Sequence, residues 1–250
     1  MAETSSILSN LPQYVREAVR FYWRTRTKQL EKQAGAGTND KGFRSAVTGG
    51  AQMDGFIELL TKLVIEAGID RSHIFYTESL ELPGYFRPTK KWDFLVVVKG
   101  QLVAALEAKS QVGPSFGNNF NNRTEEAMGS ALDLWTAFRE QAFGTGVRPW
   151  LGYMFLLDDC TKSQTAVSVK EPHFKVFEEF RNSSYARRYE IFCRRLVLER
   201  HYDSAAFLLS QSQLGLEGGY SEPATDLTFE RFAKSLVAQV AAFSGRIKEL

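Results

Sequence analysis

Two rhythms of apolar and polar positions alternate along the chain. Ser9 and Asn10 ahead of Leu11-Pro12 mark a helix start, and Gly35-Ala36-Gly37 a stop, so a helix is predicted to about Gln33. A second, about Ala51 to Ala67, opens after Gly49-Gly50, carries Phe56, Leu59, Leu60, Leu63 and Val64 as its stripe and closes at Gly68. The rhythm then shortens. His73–Thr77 reads as a short strand, and Leu82–Lys91, with two prolines and a glycine, as a loop. Phe94–Val98 and Leu102–Leu106 are apolar and read as two strands of a hairpin. A helix from Thr124 to about Phe143 and a buried strand from Pro149 to Asp158 follow. Further on, Lys175–Arg181 and Tyr185–Arg200 look helical, Ser204–Ser210 like a strand, Leu214–Ala224 like a loop and Thr228–Ile247 like a final helix. The order predicts an α/β fold, a mixed central sheet flanked by helices, with an N-terminal helix and a mostly helical C-terminal elaboration. One domain over 1–250 is expected, its core about 47–160 and the C-terminal region about 171–250.

The hairpin is where chemistry enters. If Lys99-Gly100-Gln101 forms the loop, Val98 faces Leu102, Leu95 faces Ala105, and Asp93 faces Glu107. Lys109, two residues on, shares the face of Glu107. A two-residue loop would shift the register by one and put Asp93 on the opposite face. Two carboxylates and an ammonium at the end of an apolar hairpin are costly unless partnered. A divalent cation resolves the conflict, since Mg²⁺ takes oxygen ligands and commonly uses one or two carboxylates; the carbonyl of Ala108 could add a third. The plain alternative is a structural salt bridge among the three side chains.

Composition narrows the setting. The chain has 250 residues, 44% hydrophobic and 24% charged, with net charge +2. That is ordinary globular composition, and global charge does not single out a nucleic-acid binder. Cys160 and Cys193 form no motif, which suits a reducing cytoplasm. No apolar run approaches the roughly 20 residues of a membrane helix, and no secretory signal opens the chain.

Three polar or basic stretches stand out, the first two as candidates for contact with a partner. The first helix mixes Arg16, Arg20, Arg24, Arg26 and Lys28 with Tyr14, Phe21, Tyr22 and Trp23, which suits phosphate contacts or a solvated amphipathic face. Residues 110–123 read as a loop rich in asparagine. There Asn118, Asn119, Asn121, Asn122 and Arg123 offer the bidentate chemistry that base edges accept, or simply the turn tolerance of asparagine. Arg181, Arg187, Arg188, Arg194, Arg195 and Arg200 make the C-terminal third the most basic. In the second helix, Asp54 and Glu58 share a face, and Glu58 is an accessory acid if that helix reaches Asp93.

Asp93, thirteen residues, then Glu107-Ala108-Lys109 resembles the PD-(D/E)xK nuclease motif, with Trp92 in place of the usual proline. The segments VTGGAQMDGF (47–56) and LEAKSQVGPSFGNNFNNRTEEAMG (106–129) resemble the XhoI type II restriction endonucleases. The resemblance implies the restriction-endonuclease-like core and a bacterial, cytoplasmic homodimer. It implies Mg²⁺-dependent cutting of duplex DNA at the palindrome CTCGAG, and a paired DNA methyltransferase. On that resemblance Asp93 and Glu107 are metal ligands and Lys109 the catalytic lysine. A repair or junction-resolving nuclease of the same superfamily, or a non-catalytic DNA-binding protein on this scaffold, are the competing readings.

Overall fold

The computed structural model describes residues 6–35, 51–144 and 146–248. The polar stretch Thr38–Thr48, whose composition predicts a loop, and Gly49-Gly50 ahead of the second helix lie outside them. Helix α1 (Leu11–Gly35) and helix α2 (Asp54–Glu66) precede a short strand β1 (Ile74–Phe75). A small hairpin of β2 (Glu81–Pro83) and β3 (Thr89–Lys91) leads into β4 (Phe94–Val98) and the long β5 (Gln101–Gln111). Then come α3 (Phe116–Arg139), β6 (Trp150–Asp158), α4 (Tyr185–Leu198), β7 (Ser204–Ser210) and α5 (Phe229–Lys248).

The main sheet runs β1-β4-β5-β6-β7. β1, β4 and β5 are antiparallel, whereas β5–β6 and β6–β7 are parallel. The parallel pairs follow from their connections, since α3 and α4 are the crossovers a parallel pair requires. The mixed sheet flanked by helices is therefore as expected, but it continues past residue 160: β7 is its fifth strand, and α4 packs on it. The continuous apolar run of β6 belongs to a strand buried on both faces.

Alternation along the strands divides the core in two. Phe94, Val96, Leu106 and Met154 face α1, α2 and α5. Leu95, Ala105, Tyr153 and Phe155 face α3 and α4. Strand parity thus puts Asp93, Glu107 and Lys109 on the α3/α4 side.

Three local expectations are corrected. Leu82–Lys91 is no loop: it contributes most of the β2–β3 hairpin, registered Leu82 to Lys90 and Pro83 to Thr89. Its tip is fixed by Asp133 of α3, whose carboxylate accepts from the backbone N–H of Tyr85 (2.7 Å) and Phe86 (2.9 Å) and from Arg87 Nε (2.7 Å). The asparagine-rich stretch is helical from Phe116, not a loop to Arg123. Phe116 stacks on Tyr185 and Phe120 packs edge-on against Tyr189 and Phe192, so α4 holds the first turns of α3 in place. Lys175–Arg181 is irregular apart from one 3₁₀ turn at Glu178–Phe180.

Candidate active site

The hairpin reaches the predicted register by an unpredicted route. Val98 pairs with Gln101 and Val97 with Leu102, so the loop has two residues, Lys99 and Gly100. Both have positive φ, 49° and 75°, as a type I′ turn requires. The register then shifts between Val96 and Val97, and from there Val96 pairs with Ala104, Leu95 with Ala105 and Phe94 with Leu106. The extra residue is Val103, whose side chain joins Ala104 in the same half of the core, as a bulge allows. The bulge cancels the one-residue offset of the short loop and puts Asp93 opposite Glu107.

Asp93 Oδ2 accepts from Lys109 Nζ at 2.8 Å and from the Ala108 backbone N–H at 2.9 Å. Glu107 Oε1 lies 3.8 Å from the same Nζ. The two carboxylates thus converge on one ammonium. Their surroundings differ: the Glu107 side chain is 3% exposed, that of Asp93 37%. Burial works to lower the Lys109 pKa, but the charges of Glu107 and Asp93 outweigh it and the net shift is upward. Lys109 is therefore held as an ammonium.

Two residues absent from the sequence reading complete the cluster. Lys90 of β3 bonds Glu107 Oε1 at 2.5 Å, its Nζ also 4.3 Å from the centre of the Trp92 ring. The buried Tyr202 hydroxyl lies 2.9 Å from Glu107 Oε2 and 3.1 Å from the Ala127 carbonyl. Burial first, then the charge of Glu107, push that hydroxyl far up, so it stays a donor. Asp93, Glu107, Lys90 and Lys109 sum to no net charge, which makes the buried site tolerable. Neither newcomer has a local signal: each is carried in by long-range pairing.

Asp93, Ala108 and Lys109 line a cleft of about 410 Å³ together with Arg26, Gln52, Gln111, Asn119, Arg123 and Glu126. Of the proposed DNA-contacting residues, Asn119 and Arg123 therefore face the site, one helical turn apart. Asn118, Asn121 and Asn122 are exposed and do not line the cleft. Arg123 is paired with Glu126 at 2.7 Å.

Glu58 is not brought to the cluster. It pairs with Lys62 at 3.0 Å and lines a separate cleft with Tyr14 and Phe21. An i,i+4 surface pair of this kind is worth a few tenths of a kcal/mol. Glu58→Gln is accordingly expected to leave the rate of DNA cleavage unchanged within about twofold; a loss beyond tenfold in a timed plasmid digest would restore it to the site.

The basic C-terminal third is largely internal pairing. Arg181 meets Glu171 and Glu178, Arg187 meets Glu190, Arg194 meets Glu190 and Asp226, and Arg195 meets Glu179. On α1, Arg20 bonds the Glu217 carbonyl at 3.1 Å, while Tyr22 and Trp23 are core residues.

Comparison with known proteins adds the biological class. Residues 32–222 match the family model described as restriction endonuclease XhoI. The type II restriction enzyme BstVI of Geobacillus stearothermophilus is 56% identical over 217 residues, 85% of this chain and 96% of that enzyme. The type II restriction enzyme XhoI of Xanthomonas vasicola is 45% identical over 194 residues, 77% of each chain. AbrI of Azospirillum brasilense is 48% identical over 169 residues, 67% of this chain and 76% of that one. No solved structure matches the chain. Similarity of this extent defines a type II restriction endonuclease, a site-specific deoxyribonuclease. The chain belongs to the XhoI restriction endonuclease family.

Proposed function

We propose that the chain hydrolyses phosphodiester bonds of duplex DNA at a palindrome, CTCGAG by family resemblance, with Mg²⁺ held by Asp93 and Glu107. The observation that carries this reading is the convergence of both carboxylates on Lys109 Nζ. A place where two acids already share one cation suits a second, divalent one.

The donor set fits the ion. Among the described residues no group of three or more His, Cys, Asp or Glu side chains forms a metal cage. Mg²⁺ does not ask for one, because it commonly takes one or two carboxylates and fills its shell with water and phosphate oxygen. Such an ion lowers the pKa of its water and offsets the charge of the phosphate. Glu107 Oε1, which Lys90 bonds, keeps a second lone pair with which it would hold the ion. Lys109, fixed by Asp93, orients the attacking water by donating to it and stabilises the charge gathering on the phosphoryl oxygens. Tyr202 holds Glu107 in one rotamer. Asn119 and Arg123 lie close enough to the cluster to contact the strand being cut. Asn118, Asn121 and Asn122, exposed on α3, supply the amide groups that read base edges in the major groove.

A palindrome calls for two copies of the chain, each reading one half-site. Exposed Phe86 and Leu132 share a cleft beside Glu125 and Gly129, which gives a second copy an apolar surface near the site.

A digest of DNA of known sequence with Mg²⁺ and mapped fragment ends tests the reading. Discrete ends within CTCGAG are expected. Cutting that follows DNA structure rather than sequence would favour a repair or junction-resolving nuclease instead. Lys109→Ala is expected to slow cleavage at least a hundredfold, and a variant that matches the parent's rate removes the proposed role.

A further inference from the structure

The cleft beside Asp93 and Lys109 has a floor that the cutting chemistry does not use. On α1 the buried stripe runs Leu11, Val15, Ala18, Val19, Tyr22 and then Arg26, an arginine where the helical period calls for an apolar side chain. Arg26 is 8% exposed, its Nε has no hydrogen-bond partner, and no carboxylate among the described residues forms an ion pair with it. The charge of Asp158 is felt nearby, yet burial raises that carboxyl's pKa more than Arg26 lowers it. Two further side chains of the same cleft are as incomplete. Gln111 is 4% exposed; its Oε1 accepts from the Tyr189 hydroxyl, and its Nε2 has no partner. Gln52 is 6% exposed, with Oε1 unpartnered.

A buried cation and a buried amide donor without partners are each costly. Their sharing one cleft with the acid–acid–lysine cluster makes a ligand the economical explanation. The ligand must be anionic to answer Arg26 and must accept hydrogen bonds to answer Gln111. A guanidinium fork and an amide N–H that line one cleft are phosphate-binding chemistry. Gln52 serves the same end once its terminal amide is turned, since its oxygen and nitrogen sites exchange by rotation. We propose that Arg26, Gln111 and Gln52 form a subsite for a second phosphate of the DNA strand, next to the phosphate that is cut. The inference rests on the reading of Asp93 and Lys109 as the cutting site, which gives the subsite its place along the strand. The phosphate contact itself is independent of sequence and of metal.

Binding is therefore measured in EDTA, where no strand is cut, by fluorescence anisotropy on one duplex containing CTCGAG and one lacking it. Arg26→Met is expected to weaken both about tenfold. The slope of log affinity against log salt should flatten by about one per chain. Thermal stability should stay level or rise, because an uncompensated buried charge is removed. Unchanged affinity and slope would overturn the subsite, and so would a loss confined to the CTCGAG duplex, which marks a base contact. Stability that falls while binding holds assigns Arg26 to the fold alone and overturns it too. Should the methionine variant not fold, Arg26→Lys carries the test. A point charge keeps the slope but loses the fork, so affinity falls severalfold, and unchanged affinity overturns the proposal. Failure of the cutting-site reading shows elsewhere, as undiminished cleavage by Lys109→Ala or Asp93→Asn, so the two outcomes cannot be confused.

Discussion

Glu107→Gln is expected to slow DNA cleavage by roughly a thousandfold or more and to cost about 2 kcal/mol of stability. Both effects come from one carboxylate. Glu107 is 2% exposed and receives Lys90 on one oxygen and Tyr202 on the other. The amide keeps the shape but removes the charge, so Lys90 and Lys109 then face Asp93 alone and the site carries an excess positive charge. Asp93→Asn makes the informative contrast. Asp93 is over a third exposed, and its amide can still accept from the Ala108 N–H, so a comparable loss of rate should come with a much smaller loss of stability. The pair is read by timed plasmid digests with magnesium and by denaturant midpoints. Equal stability losses would mean that the difference in burial does not govern the site. Undiminished cleavage by either variant would remove that residue from the chemistry.

The hairpin shows how much of this was legible. The apolar run of Phe94–Val98 and the charges flanking it are local facts, and they sufficed to bring Asp93, Glu107 and Lys109 together. The path was not legible. Lys99 at positive φ carries no strong sequence signature, so the two-residue turn read as three, and the bulge at Val103 offset that difference. The asparagine-rich stretch failed for a different reason. Asparagine signals turns through local bonding, but Phe116 and Phe120 are docked by Tyr185, Tyr189 and Phe192, some seventy residues on, and packing overrode propensity. Their four-residue spacing was the one available hint. For Glu58 the hint was Lys62 at i+4, which marks a solvated pair. Arg26 had its own: an arginine in phase with a buried stripe. Lys90 and Tyr202 had none, because only the folded sheet brings them to Glu107.

Asp133→Ala is expected to destabilise the fold by about 3 kcal/mol, although Asp133 touches no proposed reacting group. Its buried carboxylate organises the tip of the β2–β3 hairpin through two backbone N–H groups and Arg87. Arg87 is nearly half exposed and contributes little by charge alone, so the cost falls mostly on the two orphaned N–H groups and the loosened tip. The effect reaches the site along β3, since Lys90 lies three residues beyond Arg87 and its grip on Glu107 needs that strand in place. Cleavage should therefore fall severalfold with the stability. The pH dependence has a definite sign. Burial tends to raise the Asp133 pKa, but the N–H groups of Phe86 and Tyr85 and the Arg87 guanidinium outweigh it, and the net shift is below the ordinary 3.8. A depressed carboxyl pKa means stability that is fully present above the unfolded value and lost as pH falls through the folded one. The parent should thus lose this contribution only below about pH 4, and Asp133→Ala, which lacks it at every pH, should show a shallower decline there. Parallel acid unfolding curves for the two proteins would show that the carboxylate does not anchor the hairpin.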